Sequence, residues 1–409
     1  MTDQSSLRPA RPGALTFVAL LLLLVAAGFE TTAVVAALAR GNSVGDWISF
    51  YAAGTIVRHG DGVRLYEPAM QAAVQHGIVP GAGQTFNAFP LPAFVAMAFA
   101  PLTAAGFTRS FVIWALLNVV LLGALLAVAW RYLAGLTVPS RALFVATVAV
   151  STPAVNTLLF GQIDLFVLAA IVASFAMLRA GKGAAAGLLL ALALAKPDLV
   201  FGVALLLIVA RAWRMLAAFA GAGAVLVLGP ALLLGSHTLV DQVVLLAHYP
   251  AGAADYSTNA PMMVNVRGAI ASLTGADRIA IWGAPQALVA AVAAGMAIRV
   301  WRARGVADAQ SWAAALLLPL ILSPHMHMQS VVLLIAAWAL CLRAALDEGR
   351  AIAPEVAVAP FIAVSALWFV SLWGPALVSL PLLAMFWLCS RRWPVAREVA
   401  SRPALPMAA

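Results

Sequence analysis

The chain has 409 residues, 64% of them hydrophobic and only 10% charged, and its mean hydropathy is +1.00. Several runs of about 18 or more apolar residues exceed what a soluble core needs and match bilayer-crossing helices; because they are continuous and rich in Ala and Leu, they exclude the alternating strands of a membrane barrel. The formal charge of +9 comes in small basic groups at the ends of apolar runs, so it reports membrane topology and excludes a nucleic-acid partner.

An all-α, polytopic transmembrane helical bundle is therefore expected, forming a single integral membrane domain over 1–409. The first apolar run, 14–38, is too long for a signal-peptide core and is read as a retained span. Arg8 and Arg11 before it place the N-terminus in the cytoplasm. Asp46 follows in Asn42-Ser43-Val44-Gly45-Asp46-Trp47, a carboxylate at a lipid boundary, where charge is costly enough to need a reason. The stretch 46–59 reads as a short amphipathic helix along the membrane surface, with Trp47, Phe50, Tyr51 and Gly54 on one face. Gly60-Asp61-Gly62 breaks it, and a second short helix runs from Leu65 through Val74. Asp46 then starts a helix. It is either an N-cap, a role Ser43 could equally fill, or a group kept available for chemistry. Trp47, Phe50, Tyr51 and Tyr66 either stack on a ligand or anchor the short helices at the lipid boundary, and anchoring is the commoner role.

Further along, 89–104 is apolar but carries Pro90, Pro92 and Pro101, and is expected to dip into the outer leaflet without crossing. Spans follow at 110–132, 142–159 and 165–178. The stretch 184–210 is interrupted by Lys196-Pro197-Asp198, read as an outer tip joining two short spans. Further spans lie at 213–234, 281–298, 312–322, 331–342, 352–369 and 372–388, about 12 in all. In this arrangement Arg40, Arg58, Arg64, Arg109, Lys196, Arg267 and Arg278 are outside and the remaining basic residues inside. A rival arrangement lets 89–104 cross and makes 184–210 one helix; it moves Arg131, Arg141, Arg179 and Lys182 outside and leaves Asp46 there. Two long external segments result, 39–88 with its juxtamembrane helices and 236–278. The basic, Pro-containing ends 1–13 and 391–409 read as disordered. Cys341 and Cys389 fall within apolar spans, and no disulfide framework is expected.

The polar residues on the outer side are the ones that carry chemistry. Lys196 is either a helix-end charge reaching for headgroups or a ligand for an anionic phosphate. Arg267, in the same external segment as Asn265, offers a fork suited to phosphate, with headgroup contact as the alternative. His325 and His327 lie in Ser323-Pro324-His325-Met326-His327 between two apolar runs. Two positions apart, they would diverge on a helix, and no third strong ligand is nearby, so a hydrogen-bonding role or simple loop polarity is expected rather than metal binding. Gln162 and Asp164 fall on the same side; Asp164 is either a polar contact to a ligand or the N-cap of the span after it. With no Gly-rich phosphate loop, Ser-His-Asp order or CxxC pair, neither a nucleotide site nor a cofactor is expected.

Three stretches, Asp46-Trp47-x-x-Phe50-Tyr51-Ala52-Ala53-Gly54, then Gly60 with Leu65-Tyr66-Glu67-Pro68, then Phe86-Asn87-Ala88-Phe89-Pro90-Leu91-Pro92, resemble the first external loop of glycosyltransferase family 87. The resemblance continues through Phe160-Gly161-Gln162-x-Asp164, Gly187-x-x-x-Ala191-x-Ala193-x-Ala195-Lys196-Pro197 and Leu322-Ser323-Pro324-His325. Phe89-Pro90-Leu91-Pro92 departs from the family's usual aromatic-Pro-Pro, and Asp164 stands where Asn is common; both bear on substrate more than on class. The resemblance implies a GT-C type fold and a hexosyltransferase, mannosyltransferase-like, that takes its sugar from a polyprenyl-phosphate donor. The acceptor would be a glycolipid or glycan on the extracytoplasmic face of a bacterial cytoplasmic membrane. It also implies Asp46 as catalytic base. Substrate-binding candidates are Lys196, Arg267, His325, His327, Gln162, Asp164, Tyr51, Tyr66 and Asn265. The implied chemistry is coherent, because inverting transfer from an already anionic phosphate needs one base and cations but no second acid. Two rivals remain: a transporter or flippase of lipid-linked sugar, which would show paired broken helices in two halves, and a lipid-linked glycan ligase or polymerase, kept open by segment 236–278.

Overall fold

The computed structural model describes residues 13–39, 45–79, 87–248, 259–370 and 374–390. Arg8, Arg11, Arg40, Ser43, Phe86, the basic residues after 390 and the ends read as disordered lie outside the described residues, apart from Gly13 and its bond noted below. The fold is all-α, with eighteen α-helices among the described residues and one isolated antiparallel bridge between Met263 and His327.

Among the described residues, five helical runs are long and apolar enough to cross a bilayer: α1 (Ala14–Ala39), α5 (Phe107–Tyr132), α11 (Trp213–Leu234), α14 (Ile279–Arg304) and Met328–Asp347, which contains α16 (Leu333–Asp347). Their outward side chains are the kind a lipid tail solvates; Leu15 is 85% exposed and Leu232 84%. The expected single span 142–159 is instead two helices, α6 (Val138–Ala149) and α7 (Thr152–Leu159), bent by 42°. Pro153, in the first turn of α7, starts a new helix there because its ring disfavours a helical residue before it. Counting that pair as one span gives six among the described residues, against the twelve expected. Helices α9 (Gly183–Leu192), α10 (Pro197–Val209), α15 (Ala309–Leu322), α17 (Pro354–Val370) and α18 (Gly374–Ser390) are apolar but short. The longest would reach about 26 Å at 1.5 Å per residue, short of a hydrocarbon core of roughly 30 Å. The same holds for α4 (Ala93–Thr103), whose 11 residues are too few to cross.

Between the long helices sits a tightly packed interior centred on α15, buried from Gln310 to Ile321. Glycine lets neighbouring backbones touch. A Cβ on Gly202 would lie 2.0 Å from the carbonyl of Ala315, and one on Gly187 would lie 2.2 Å from that of Met215, so α10 meets α15 and α9 meets α11 main chain to main chain. At the base of α1, Glu355 accepts from the Gly13 amide at 2.8 Å and ties that span to α17.

The segment after α1 forms α2 (Trp47–Arg58), one 3-10 turn at Gly62–Arg64, and α3 (Pro68–Ile78), which starts on a proline in its first turn and begins later than expected. Helix α2 does not lie along a surface. Trp47 through Gly54 are all buried, and a Cβ on Gly54 would meet Thr103 Cγ2 at 2.9 Å, so α4 packs directly against it. Its small residues Ser49, Ala52, Ala53 and Gly54 allow a helix that is apolar on one face to be enclosed on the other as well. The aromatics expected at the lipid boundary are core residues instead. Trp47 is 1% exposed and packs edge-on against Phe99 and Phe111 and stacks with Trp114.

Cysteine pairing also departs from expectation. Cys341 on α16 and Cys389 on α18 are joined as a disulfide, with Cα atoms 6.2 Å apart. Both residues lie in apolar helices of the same buried cluster, which brings them together across 48 positions of sequence.

Candidate active site

Asp46 occupies the cap position of α2 but does not cap it: its side chain accepts no bond from that helix. Both carboxylate oxygens face elsewhere. Oδ1 accepts from Asn87 Nδ2 at 2.6 Å, and Oδ2 accepts from Gln162 Nε2. The half-buried carboxylate is thus gripped by two neutral carboxamides, which fix its plane while leaving lone pairs on each oxygen.

Each carboxamide is braced from behind. Asn87 is clasped by α3, where Gln75 donates to its carbonyl at 2.7 Å and accepts from its amide at 2.9 Å. One turn earlier on α3, Gln71 does the same for its surroundings, donating to Leu65 O and accepting from Phe89 N, both at 2.8 Å. Gln162 sits at the end of the turn between α7 and α8 (Asp164–Arg179). There Gly45 and Gly161 interlock. A Cβ on Gly45 would stand 2.5 Å from Phe160 Cβ, and one on Gly161 would stand 2.9 Å from Trp47 Cβ. Both glycines also hold positive φ, +50° and +68°, so no side chain fits either the space or the conformation. From α5, Trp114 donates to Gly161 O at 2.9 Å and Asn118 donates to Gln162 O at 3.2 Å.

Two residues beyond Gln162, Asp164 is the first helical residue of α8 and the cap position belongs to Ile163, so the expectation of an N-cap is corrected. The Asp164 side chain is fully buried and accepts from Lys196 Nζ at 2.9 and 3.1 Å. Lys196 stands at the break between the 3-10 turn Ala193–Ala195 and α10, and its third bond goes to Ser330 Oγ at 2.9 Å. Its side chain keeps 15% of its exposure, and Asp46 and Asp198 add negative potential at the ammonium. Asp46, Asn87 and Gln162 thus form one bonded set and Asp164, Lys196 and Ser330 a second, joined through the short turn from Gln162 to Asp164, with the Asp46 charge felt at the Lys196 ammonium.

His325 borders the second set. The segment after α15 is not helical, so His325 and His327 do not diverge as expected; their rings meet edge to face with centroids 4.7 Å apart. Burial drives the His325 pKa well below the usual histidine value, and interactions with His327, Lys196 and Arg267 push it the same way. The ring is thus neutral near pH 7.

Segment 259–278 holds this histidine loop in place. The amide of Val264 donates to Met326 O at 2.8 Å beside the Met263–His327 bridge. Asn265 caps α13 (Val266–Thr274) by accepting from Gly268 N at 2.9 Å, and its Nδ2 donates to Ser323 O at 2.7 Å. Arg267 is 1% exposed. Its fork donates to Asp277, Nε at 2.8 Å, its Nη1 donates to Pro324 O at 3.3 Å, and its guanidinium lies 5.0 Å from the Trp282 ring centroid. Asn265 and Arg267 thus brace the loop and stand outside the Asp46 cluster. Tyr51 and Tyr66 are also apart from it, donating to Thr103 O at 3.2 Å and Leu91 O at 2.7 Å from within the core. Among the described residues, no three His, Cys, Asp or Glu side chains converge as a metal set.

Sequence reasoning did not single out Asn87, Gln75, Gln71, Ser330, Asp277 or the glycine pair for these roles. The one available signal was Gln71 and Gln75, spaced i, i+4 on a short helix ahead of a proline-rich extended stretch, which marks a face built to bond backbone. The family model of glycosyltransferase family 87 matches residues 89–324, a span that holds Gln162, Asp164, Lys196 and Arg267 and begins after Asp46. No curated protein and no solved structure matches the chain.

Proposed function

The chain belongs to glycosyltransferase family 87, and from that premise we propose that it moves a sugar, mannose or a related one, from a polyprenyl-phosphate donor to a glycolipid or glycan acceptor. Asp46 is the general base, and the reaction takes place on the extracytoplasmic face of a bacterial cytoplasmic membrane. One observation carries the reading: a clamped, half-buried carboxylate and a lysine ammonium belong to the same cluster, linked through Gln162, the turn to Asp164 and the Asp164–Lys196 pair.

The chemistry assigns each group a task. The acceptor hydroxyl oxygen bonds to the anomeric carbon as the bond from that carbon to the phosphate oxygen breaks. The hydroxyl proton passes to Asp46, and the polyprenyl phosphate leaves as an anion. Asn87 and Gln162 hold the carboxylate in one orientation, which matters because a misplaced base forfeits rate. Lys196 meets the charge that develops on the phosphate. An ammonium has three donors, so the phosphate takes one from Asp164 or Ser330. Neutral His325, on the rim, is a hydrogen-bond donor or acceptor to the same headgroup. Arg267 acts at one remove, by holding the His325 loop.

The test is Asp46→Asn in the purified full chain, given radiolabelled polyprenyl-phosphate mannose and the membrane lipid extract of the parent cells. The variant accumulates in the membrane as the parent does, and transfer falls by about 10²- to 10⁴-fold, the usual contribution of a positioned base. Parental turnover by that variant defeats the assignment.

A further inference from the structure

The hairpin of α9 and α10 is too short for the membrane that its neighbours fill. One arm is Gly183–Ala195 and the other is α10, of 13 residues, and the tip between them is Lys196-Pro197-Asp198. Exposed Lys182 and Arg211 mark its base, where basic side chains meet headgroups. Each arm rises about 20 Å at 1.5 Å per residue, and tilt only lowers the tip. Against a hydrocarbon core of roughly 30 Å, Lys196 stops about 10 Å short of the opposite face.

Three spans give a similar depth when measured from that opposite face. Helix α11 runs alongside α9 and meets it near the tip at Gly223, where a Cβ would lie 2.6 Å from Leu194 Cδ1; it then continues to Leu234, roughly 15 Å farther. That overhang is aliphatic and outward, with Val225, Leu228 and Leu232 exposed at 71, 52 and 84%. The short α12 (Thr238–His248) that follows turns out Val240 and Val243 in the same way, at 62 and 65%. On α5, the Trp114 and Asn118 bonds to the Gly161–Gln162 turn lie roughly 10–16 Å from the Phe107 end. On α14, Gln286 donates at 2.6 Å to Ile321 O, just ahead of the His325 loop, about 10 Å from the Ile279 end. Leu116 on α5 and Leu288 on α14 face outward at those levels, 60 and 67% exposed. The polar residues are therefore sunk between walls that hydrocarbon covers.

The hairpin leaves that low point open. Leu192 and Phe201 beside the tip are exposed at 37 and 46%, Pro197 is exposed, Asp198 is half-buried, and the Lys196 side chain keeps 15%. Ionised groups at hydrocarbon depth are tolerated where water or headgroups come to them, and a bilayer meets a short apolar segment by thinning. We propose that the leaflet thins beside the α9–α10 tip, so that lipid headgroups descend to the level of Lys196 and present their phosphates over the low lip of Leu192 and Pro197. The partner is the bilayer lipid of that leaflet, and the contact stands whether or not sugar is transferred.

The test reconstitutes the full, unsubstituted chain in phosphatidylcholine vesicles that carry one of two probes: a phosphatidylethanolamine with a diazirine on its headgroup, or a phosphatidylcholine with a diazirine at the end of one acyl chain. After irradiation, labelled peptides are mapped by mass. The reference is Leu116 and Leu117 on α5, outward residues at a comparable depth on a span long enough to cross. The ratio of headgroup to acyl label on residues 192–201 is expected to exceed the ratio on that reference at least fivefold. Acyl label on the reference reports that the protein is folded and inserted. Equal ratios, or a tip labelled mainly by the acyl probe, mean a flat bilayer and overturn the proposal. A tip that neither probe labels also overturns it, because another chain then covers the lip. Labelling needs no turnover, so failure here leaves the transferase reading untouched, and loss of that reading leaves the labelling result standing.

Discussion

Replacing Lys196 by methionine separates the structural role of this residue from its chemical one. The substitution removes all three bonds of the ammonium, at 2.9 and 3.1 Å to Asp164 and 2.9 Å to Ser330, and strands a carboxylate that has no exposed surface. Removing one partner of a buried pair costs about 3–5 kcal/mol. Because the Lys196 side chain keeps 15% exposure, the lower end applies, about 3 kcal/mol. For a chain of this size that corresponds to a fall of about 3–6 °C in the unfolding midpoint, read in detergent at one fixed scan rate because heating membrane proteins is commonly irreversible. Adding Asp164→Leu removes the stranded charge and is expected to recover most of the loss, since apolar groups of similar volume replace buried pairs at little net cost. The double variant should then be close to the parent in stability yet transfer no sugar. An unchanged midpoint in Lys196→Met alone would refute the view that this pair joins α8 to α10. Parental transfer by the double variant would refute the role of Lys196 on the phosphate.

Three further outcomes follow from the same geometry. Gly161→Ala places a methyl 2.9 Å from Trp47 Cβ at a φ of +68°, so a loss of about 1–3 kcal/mol is expected together with reduced transfer, because the turn that aims Gln162 must move; full activity at parental stability would show that the interlock is not needed. Arg267→Lys keeps the charge but loses the fork on Asp277, and a drop of about 2–3 kcal/mol in stability is expected with the chemistry at Asp46 intact; a change in transfer alone would instead place Arg267 on the substrate. His325 gives a pH signature. Its folded pKa lies below the unfolded value near 6.5, so below about pH 6.5 the unfolded chain binds the proton first and stability falls with acidity, by up to about 1.4 kcal/mol per pH unit, until the depressed folded pKa is reached. His325→Gln should flatten that slope, and an unchanged slope would mean that the ring is not held neutral.

The long spans were legible because hydropathy alone identifies a helix of 18 or more apolar residues, and 14–38, 110–132, 213–234 and 281–298 correspond to α1, α5, α11 and α14. Charge could not determine how many shorter apolar segments cross, since Ala309–Leu322 is apolar because it is buried against protein, which reads the same as burial in lipid, while Pro197–Val209 mixes buried positions with the outward Phe201 and Ile208. Helix α2 was visible as a helix, but its enclosure depends on Gly54 meeting Thr103, a tertiary fact with no periodic trace. The site was partly legible. Asp46, Gln162, Asp164 and Lys196 stood out as charged or polar groups beside apolar runs, and the fold gathers them. Arg267 stood out for the same reason, and the sequence could not say that Asp277, ten residues on, occupies its fork. Asn87 lies within a family-like motif but was given no role, and Gln75 was not singled out, because their partners, Asp46 and the extended stretch from Asn87, are set only by the fold; the Cys341–Cys389 pairing likewise requires knowing that α16 and α18 are close in space.

The bridge between Met263 and His327, with the Val264 amide on Met326 and the Asn265 amide on Ser323, welds two distant stretches of chain into a single stiff piece. A histidine placed on an independent loop would be free to turn; this one inherits its posture from the stretch that leads into α13. On the proposed role of His325, exchanging residues along α13 should therefore change how the donor headgroup is held.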